Sequence, residues 1–106
     1  MGLVVIATNF SGQTEYMVDG QNALLAKVTL QDRGDGHRWA IVDEEHLANL
    51  LKSVCDSVNR ERMRGIGLKA RSDMLEKYSI SVLATTIHER LKTIVSNREQ
   101  RKKDEL

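Results

Sequence analysis

The residues best suited to bind a ligand lie in the polar loop that follows the first apolar segment of the chain. Amide, hydroxyl and carboxyl groups succeed one another in this loop, which reads Thr8-Asn9-Phe10-Ser11-Gly12-Gln13-Thr14-Glu15. In open α/β sheets, ligands bind at the carboxyl ends of the strands. Gly12 would let a phosphate approach the backbone closely, and the start of a helical turn would favour an anion. An ordinary strand-to-helix connection capped by Ser11 or Thr14 remains the alternative interpretation.

The other residues of catalytic or metal-binding type are scattered along the chain. His37, His46 and His88 do not have the spacing of metal ligands, so we expect three ordinary histidines, no metal site and no bound cofactor. Cys55 is the single cysteine, which excludes an internal disulfide. Its place on the apolar flank of a helix predicts that it is a small, buried hydrophobic residue.

Composition limits the class of protein. The 106 residues contain 16 Lys or Arg and 15 Asp or Glu, and the formal charge of +1 gives no electrostatic reason to expect a nucleic-acid partner. With 41% hydrophobic and 29% charged residues, the chain is typical of one soluble globular domain at most. Its apolar runs are far too short to span a bilayer, so we expect no membrane insertion by this chain.

The elements that must hold the loop are short strands. The run Leu3 to Ala7 is uninterrupted and rich in β-branched residues, which predicts a strand covered on both faces, as in a parallel sheet. Thr14 to Val18 could form a helical turn, and a second apolar segment, Ala23 to Ala26, follows the turn signal Asp19-Gly20. From Lys27 to Arg38 the polarity rises, and glycines predict a surface loop.

The remainder of the chain has helical periodicity. Asp43 can cap a first helix whose apolar stripe is Leu47, Leu50, Leu51, Val54 and Val58. A second helix begins near Asn59 or Arg60 and carries Met63, Ile66, Ala70 and Met74, although Gly65 and Gly67 weaken it. A third helix starts at the cap Ser79, with Val82, Leu83, Thr86, Ile87, Leu91, Ile94 and Val95 at helical spacing, before a charged tail. These elements favour an α/β fold.

The chain contains a series of short sequence motifs in a definite order. The early ones are Gly2-Leu3-Val4-Val5-Ile6-Ala7-Thr8-Asn9, Ser11-Gly12-Gln13-Thr14-Glu15 and Asp19-Gly20-Gln21-Asn22-Ala23-Leu24-Leu25. The later ones are Gly36-His37-Arg38-Trp39-Ala40, Asp43-Glu44-Glu45-His46-Leu47-Ala48, Gly67, Ala70-Arg71 and Glu76-Lys77-Tyr78-Ser79. This order resembles the donor-side segment of GT-B glycosyltransferases of the family-4 type, with its A-T-N strand end, its small S-G loop and its D-G-x-N-G-x-L phrase.

The resemblance implies a fold and an activity. Residues 1–95 would be the C-terminal portion of a Rossmann-like GT-B donor-binding domain, with two short parallel-type strands followed by about three helices, and residues 96–106 a charged flexible tail. The activity implied is retaining transfer of a sugar from a nucleotide-sugar donor, and enzymes of this kind generally need no bound metal.

Five residues of the loop take positions that the resemblance assigns to the donor cleft. Those that would face or support the sugar-diphosphate part of the donor are Asn9, Ser11, Gly12, Thr14 and Glu15. A carboxylate beside a diphosphate is repelled unless it meets a sugar hydroxyl or a cation, so Glu15 has a second interpretation as a cap of the helical turn.

The chain departs from the family pattern at several points. The paired glutamates of the family, one of which contacts the donor nucleotide, would lie upstream of Met1, so no catalytic residue is assigned here. Ala23 replaces the glycine of D-G-x-N-G, and Gln13 stands where proline is frequent. Because two strands cannot bury a parallel-type sheet, we expect Leu3 to Ala7 to be partly exposed. The isolated chain should then be unstable, self-associated or the product of a truncated gene, and it should be inactive because the rest of the enzyme would be missing.

Two alternatives stay open. One is a non-catalytic helical adaptor or binding module that uses residues 43–95 as its partner surface. The other concerns the compartment: the chain shows no secretion signal, which favours the cytoplasm, whereas the ending Lys103-Asp104-Glu105-Leu106 matches a lumenal retrieval address and would place a protein with an upstream signal in the endoplasmic reticulum.

Overall fold

The computed structural model describes all residues from Met1 to Leu106. The chain divides into two compact units, Met1–Ser72 and Asp73–Leu106. The strands are β1 (Ile6–Thr8), β2 (Leu24–Ala26), β3 (Val28–Asp32) and β4 (Arg38–Val42). The helices are α1 (Glu44–Cys55), α2 (Arg60–Lys77) and α3 (Ile80–Asp104), with short 3-10 helices at Ser11–Glu15 and Ser57–Asn59.

The two apolar segments near the N-terminus form a parallel pair of strands. Ile6 lies opposite Leu24, and Thr8 lies opposite Ala26. This confirms the two short parallel strands expected from the sequence and, with the helices, an α/β fold. The regular strand begins at Ile6 rather than Leu3, because β2 offers a neighbour over three residues only.

Helices α1 and α2 cover one face of this pair. The buried centre consists of Leu24, Met63 and Ile66, and the half-buried side chains packed against it are Val4, Ile6, Leu50 and Val54. Because successive side chains of an extended segment point to opposite faces, Leu3 and Val5 lie on the other face, where they are 65% and 43% exposed. The expectation that the run Leu3 to Ala7 remains partly exposed is confirmed.

The segment expected to be a polar surface loop is instead a β-hairpin. β3 and β4 pair antiparallel from Val28 opposite Val42 to Asp32 opposite Arg38. Gly34 and Gly36 adopt positive φ angles of 78° and 82° in the connecting turn, which glycine tolerates without strain. The prediction of two strands followed by three helices is therefore wrong, because it omits this hairpin. The high polar content of the segment obscures the alternation of apolar and polar residues that is typical of a strand.

The first two helices begin where the sequence predicts them. Asp43 caps α1, since its Oδ1 accepts a hydrogen bond of 2.9 Å from the backbone N–H of His46. Val58 does not join the α1 stripe. Asp56 accepts from the N–H of Val58 and starts a separate 3-10 turn, which leaves Val58 87% exposed. Cys55, expected to be buried, is exposed at the last position of α1.

Gly67 marks a close approach of α2 to the N-terminal segment. A Cβ atom built on Gly67 would overlap the carbonyl oxygen of Gly2 and lie 2.7 Å from its carbonyl carbon. Gly65, two residues earlier, faces open space. Gly67 has a low intrinsic helix propensity, but its lack of a side chain lets α2 pack against the backbone that precedes β1.

Helix α3 continues to Asp104, through residues 96–104 that were expected to belong to a charged tail. Arg, Lys, Glu and Gln are good helix formers, and Gln100 donates a 3.0 Å hydrogen bond to Asp104 one turn later. No residue of α3 is buried. None of the helices carries an apolar stretch of the length that a membrane crossing requires.

Candidate functional site

The polar loop begins at the carboxyl end of β1, where the fold rule for open α/β sheets places a ligand. The N–H of Asn9 donates to the carbonyl of Ala26 at 2.9 Å, which extends the parallel pairing by one residue. The chain then leaves the sheet, and the N–H of Phe10 folds back to the carbonyl of Thr8 at 2.8 Å. The five predicted donor-contacting residues lie on this turn and on the 3-10 helix that follows it.

The turn depends on an unusual backbone conformation at Ser11. Its φ angle is +65°, in the left-handed region that non-glycine residues seldom adopt. The hydroxyl of Thr14 donates to the carbonyl of Ser11 at 2.7 Å, within the 3-10 helix Ser11–Glu15. Phe10 occupies the N-cap position and makes no side-chain cap. The expected capping of this turn by Ser11 or Thr14 is therefore wrong.

Gln13, which was not among the predicted site residues, ties the loop to the end of β1. Its Nε2 donates to the carbonyl oxygen of Thr8 at 3.1 Å and to the Thr8 hydroxyl at 2.9 Å. The same carbonyl oxygen also accepts from the N–H of Phe10, so it has two donors. The sequence carries no local signal for this contact, because a side chain five residues away reaches back only once the turn has formed.

The predicted site residues are brought together but are not enclosed. The side chains of Asn9, Ser11, Thr14 and Glu15 are exposed, as is Gly12. A Cβ atom at Gly12 would meet nothing within 4 Å, so the fold itself does not require glycine there. Three of the surface depressions of the molecule lie along α3, and none of these three includes a loop residue. The loop offers an open polar surface to which other groups would have to be added to make a pocket.

The turn that leads into β2 is formed by Asp19-Gly20-Gln21-Asn22. Asp19 Oδ1 accepts from the N–H of Leu25 at 2.8 Å, and Gly20 has a φ of +72°. Asn22 is buried, and its side chain accepts from the N–H of Val18 at 2.7 Å and donates to the carbonyl of Tyr16 at 2.9 Å. These polar residues satisfy backbone groups that the turn would otherwise leave unpaired. Their role in this chain is structural.

His46 connects the sheet to α1. Its Nδ1 accepts a hydrogen bond of 3.0 Å from the N–H of Lys27, the residue between β2 and β3. The N–H of Asp43 donates to the carbonyl of Lys27 at 2.8 Å. The start of α1 is thereby fixed beside the carboxyl end of β2. No group of three or more His, Cys, Asp or Glu side chains is arranged to hold a metal ion.

The loop presents polar groups but no pair of side chains placed for catalysis. Exposed amide and hydroxyl groups suit the recognition of phosphate or sugar oxygens. No nucleophile with an adjacent base is present in the loop, and Glu15 is the single carboxylate of the 3-10 helix.

No protein family model, no curated protein and no solved structure matches this chain.

Proposed function

We propose that residues 1–95 are the C-terminal part of the donor-binding domain of a retaining glycosyltransferase of the family-4 type, which transfers a sugar from a nucleotide-sugar donor. The observation that carries the proposal is the parallel pair β1–β2 with an exposed polar loop, Asn9 to Glu15, at the carboxyl end of β1. In this proposal the isolated chain is inactive, because the paired glutamates and the acceptor-side domain belong to the remainder of the enzyme.

The small size of the β1–β2 sheet supports the proposal. α1 and α2 pack against one face of β1–β2, while Leu3 and Val5 are exposed on the opposite face. β1 has a single neighbouring strand. Parallel sheets in α/β proteins have both faces covered and commonly contain five or six strands. A sheet that continues beyond β1, with a further layer over Leu3 and Val5, would satisfy both requirements.

The loop geometry suggests a role for each predicted residue. The amide of Asn9 and the hydroxyl of Ser11 would donate to phosphate oxygens, and Gly12 would leave room for the diphosphate beside the backbone. The hydroxyl hydrogen of Thr14 is already donated to Ser11, so Thr14 Oγ1 is suited to accept from a sugar hydroxyl. Glu15, at the far end of the 3-10 helix, would also accept from a sugar hydroxyl, which keeps its charge away from the diphosphate.

The adaptor function, in which residues 43–95 form the partner surface, has one observation in its favour: the large apolar side chains of α3 are exposed. The packing of the other two helices supports it less. Met63 and Ile66 of α2 bury Leu24 of β2, and Leu50 and Val54 of α1 adjoin the same cluster. A chain cut at Asp43 would lose this shared core.

A titration of the full chain with nucleotide sugars tests the proposal. Backbone amide resonances from Asn9 to Glu15 should shift on addition of a nucleoside diphosphate sugar, with a Kd of about 1 mM, the affinity of a partial site worth about 4 kcal/mol. Uridine, guanosine and adenosine diphosphates and their glucose or mannose conjugates are the probes. Inorganic phosphate serves to separate a diphosphate-specific response from general anion binding.

Two glycine substitutions provide a matched control. Gly12→Ala and Gly65→Ala each place a methyl group where nothing lies within 4 Å, so both proteins should fold. Gly12→Ala should raise the Kd several-fold by blocking the approach of the diphosphate, whereas Gly65→Ala, on α2, should leave it unchanged. Shifts absent at about 10 mM ligand, together with a stably folded fragment from Asp43 to Val95, would replace this proposal with the adaptor.

A further inference from the structure

The base of the hairpin β3–β4 lies between Lys27 and Asp43, the residues that flank its two strands. In an antiparallel ladder, the two residues of a hydrogen-bonded pair exchange two bonds, one in each direction. Here the N–H of Asp43 donates to the carbonyl of Lys27 at 2.8 Å. The carbonyl of Asp43 cannot serve for the return bond, because it accepts from the N–H of Leu47 at 2.9 Å at the start of α1. The N–H of Lys27 therefore needs another acceptor.

His46 supplies that acceptor. Its Nδ1 accepts from the N–H of Lys27 at 3.0 Å, and its own backbone N–H donates to Asp43 Oδ1 at 2.9 Å. An imidazole nitrogen accepts a hydrogen bond only while it carries no proton, and in the imidazolium both ring nitrogens are donors. The bond to Lys27 thus requires a neutral ring with its proton on Nε2.

We propose that the contact between His46 and Lys27 is a pH-sensitive switch at the junction of β2, the hairpin and α1. The neutral ring closes the base of the hairpin. A proton added to Nδ1 would set two donors against each other, so the ring must turn away and water must accept from Lys27 instead. Histidine ordinarily gains this proton between about pH 5 and 8. The bond from Asp43 to Lys27 does not titrate, so the protonated protein keeps one of the two bonds at this junction.

The charged groups around His46 act in both directions. The carboxylates of Asp43, Glu44 and Glu45 favour a protonated ring. The ammonium of Lys27 and the N-terminal end of the α1 dipole disfavour it. All four side chains are exposed, so water and salt screen them. β2 and α2 pack against α1 through apolar side chains, and neither β2 nor the 3-10 helix after α1 contains a titratable residue. The direct hydrogen bond therefore decides the response to pH.

The folded state should lose stability as the pH falls through the histidine range. The unfolded chain binds the proton on this side chain freely, whereas the folded chain must first break the bond to Lys27. The unfolded state then binds more protons, and stability decreases with decreasing pH. One hydrogen bond is worth a factor of about five in the folding equilibrium. A fall of about fourfold should be reached near pH 5, where an ordinary histidine is almost fully protonated.

Urea unfolding of the full chain at about pH 8 and pH 5 tests the proposal with two matched variants. His46→Asn places an amide oxygen where Nδ1 lies, which can accept from Lys27 and does not titrate. Its folding equilibrium should fall about fourfold less than that of the parent protein between the two pH values. His37→Asn makes the same change at an exposed histidine of the same unit and should behave as the parent does. Equal pH dependence of the parent and His46→Asn would overturn the proposal, as would its loss in His37→Asn.

Nuclear magnetic resonance of the parent protein tests the contact without a substitution. At about pH 8, a scalar coupling across the hydrogen bond should join the backbone nitrogen of Lys27 to Nδ1 of His46. The coupling should vanish near pH 5, and the amide proton of Lys27 should shift along the same titration curve as the ring protons of His46. A Lys27 amide that does not follow the ring would contradict the switch. The pH dependence of stability should persist in about 1 M NaCl, where the Debye length is about 3 Å. Its disappearance there would assign it to the surrounding charges and overturn the proposal.

Discussion

Replacing Gly67 with alanine should destabilise the first unit, although alanine is the better helix former. A Cβ atom at position 67 would overlap the carbonyl oxygen of Gly2 and lie 2.7 Å from its carbonyl carbon and 3.1 Å from the carbonyl carbon of Leu3. These are backbone atoms, so no side-chain rotation relieves the overlap. The segment that precedes β1 must move away from α2.

Two opposing effects set the magnitude. Exchange of glycine for alanine within a helix stabilises by about 1 kcal/mol, whereas an extra carbon in a packed contact costs about 2 kcal/mol. Moving the N-terminal segment also withdraws Val4 and Ile6 in part from the cluster around Leu24, a loss of about 1 kcal/mol of apolar burial. The net expectation is a destabilisation of about 2 kcal/mol, or a fall of about 10 °C in Tm for a unit of this size.

Gly65→Ala is the matched control, because it makes the same chemical change in the same helix where nothing lies within 4 Å. It should stabilise by about 0.5–1 kcal/mol through helix propensity alone. Urea unfolding followed by far-ultraviolet circular dichroism measures both variants against the parent protein. A Gly67→Ala protein as stable as the parent would refute the close packing of α2 against Gly2.

The remaining predictions concern single polar side chains. Asn22→Ala should destabilise by about 2 kcal/mol in urea unfolding, since it removes the two hydrogen bonds that the buried Asn22 side chain makes to the backbone of Val18 and Tyr16, and a change below about 0.5 kcal/mol would contradict this. Asp43→Ala should lower stability by about 1 kcal/mol through loss of the α1 cap on the N–H of His46, whereas Asp43→Asn should retain most of it. Gln13→Ala should speed amide exchange in the loop without lowering global stability, because the side chain bonds to Thr8 alone; unchanged exchange would show that the contact does not hold the loop.

The elements that could be predicted from the sequence are those whose signals are local. Leu3 to Ala7 and Ala23 to Ala26 are continuous apolar runs, and they form the parallel pair. The cap of α1 and the apolar spacing of α1 and α2 are likewise contained within a few turns of helix. The hairpin was missed because its strands alternate apolar and polar side chains within a polar composition, and its stability comes from pairing between segments about ten residues apart.

The candidate loop could be predicted only in part from local sequence signals. Its position after a parallel strand could be predicted, since the strand signal and the turn-forming residues adjoin each other in the sequence. The positive φ of Ser11 and the hydrogen bonds of Gln13 to Thr8 could not, because both depend on how the chain turns back onto the strand end. The exposure of Cys55 follows from the rotation of α1 on the strands, which sequence spacing determines only approximately.

Amide hydrogen exchange of the isolated chain, measured at a concentration where sedimentation shows monomer, tests most directly whether its parallel sheet is one part of a larger one. We expect the amides of Val4 to Ala7 to exchange far faster than those in the middle of α2, because the strand has one neighbour and one uncovered face. Full protection of these four amides in a monomer that unfolds in one sharp transition would show that the sheet is complete as it stands.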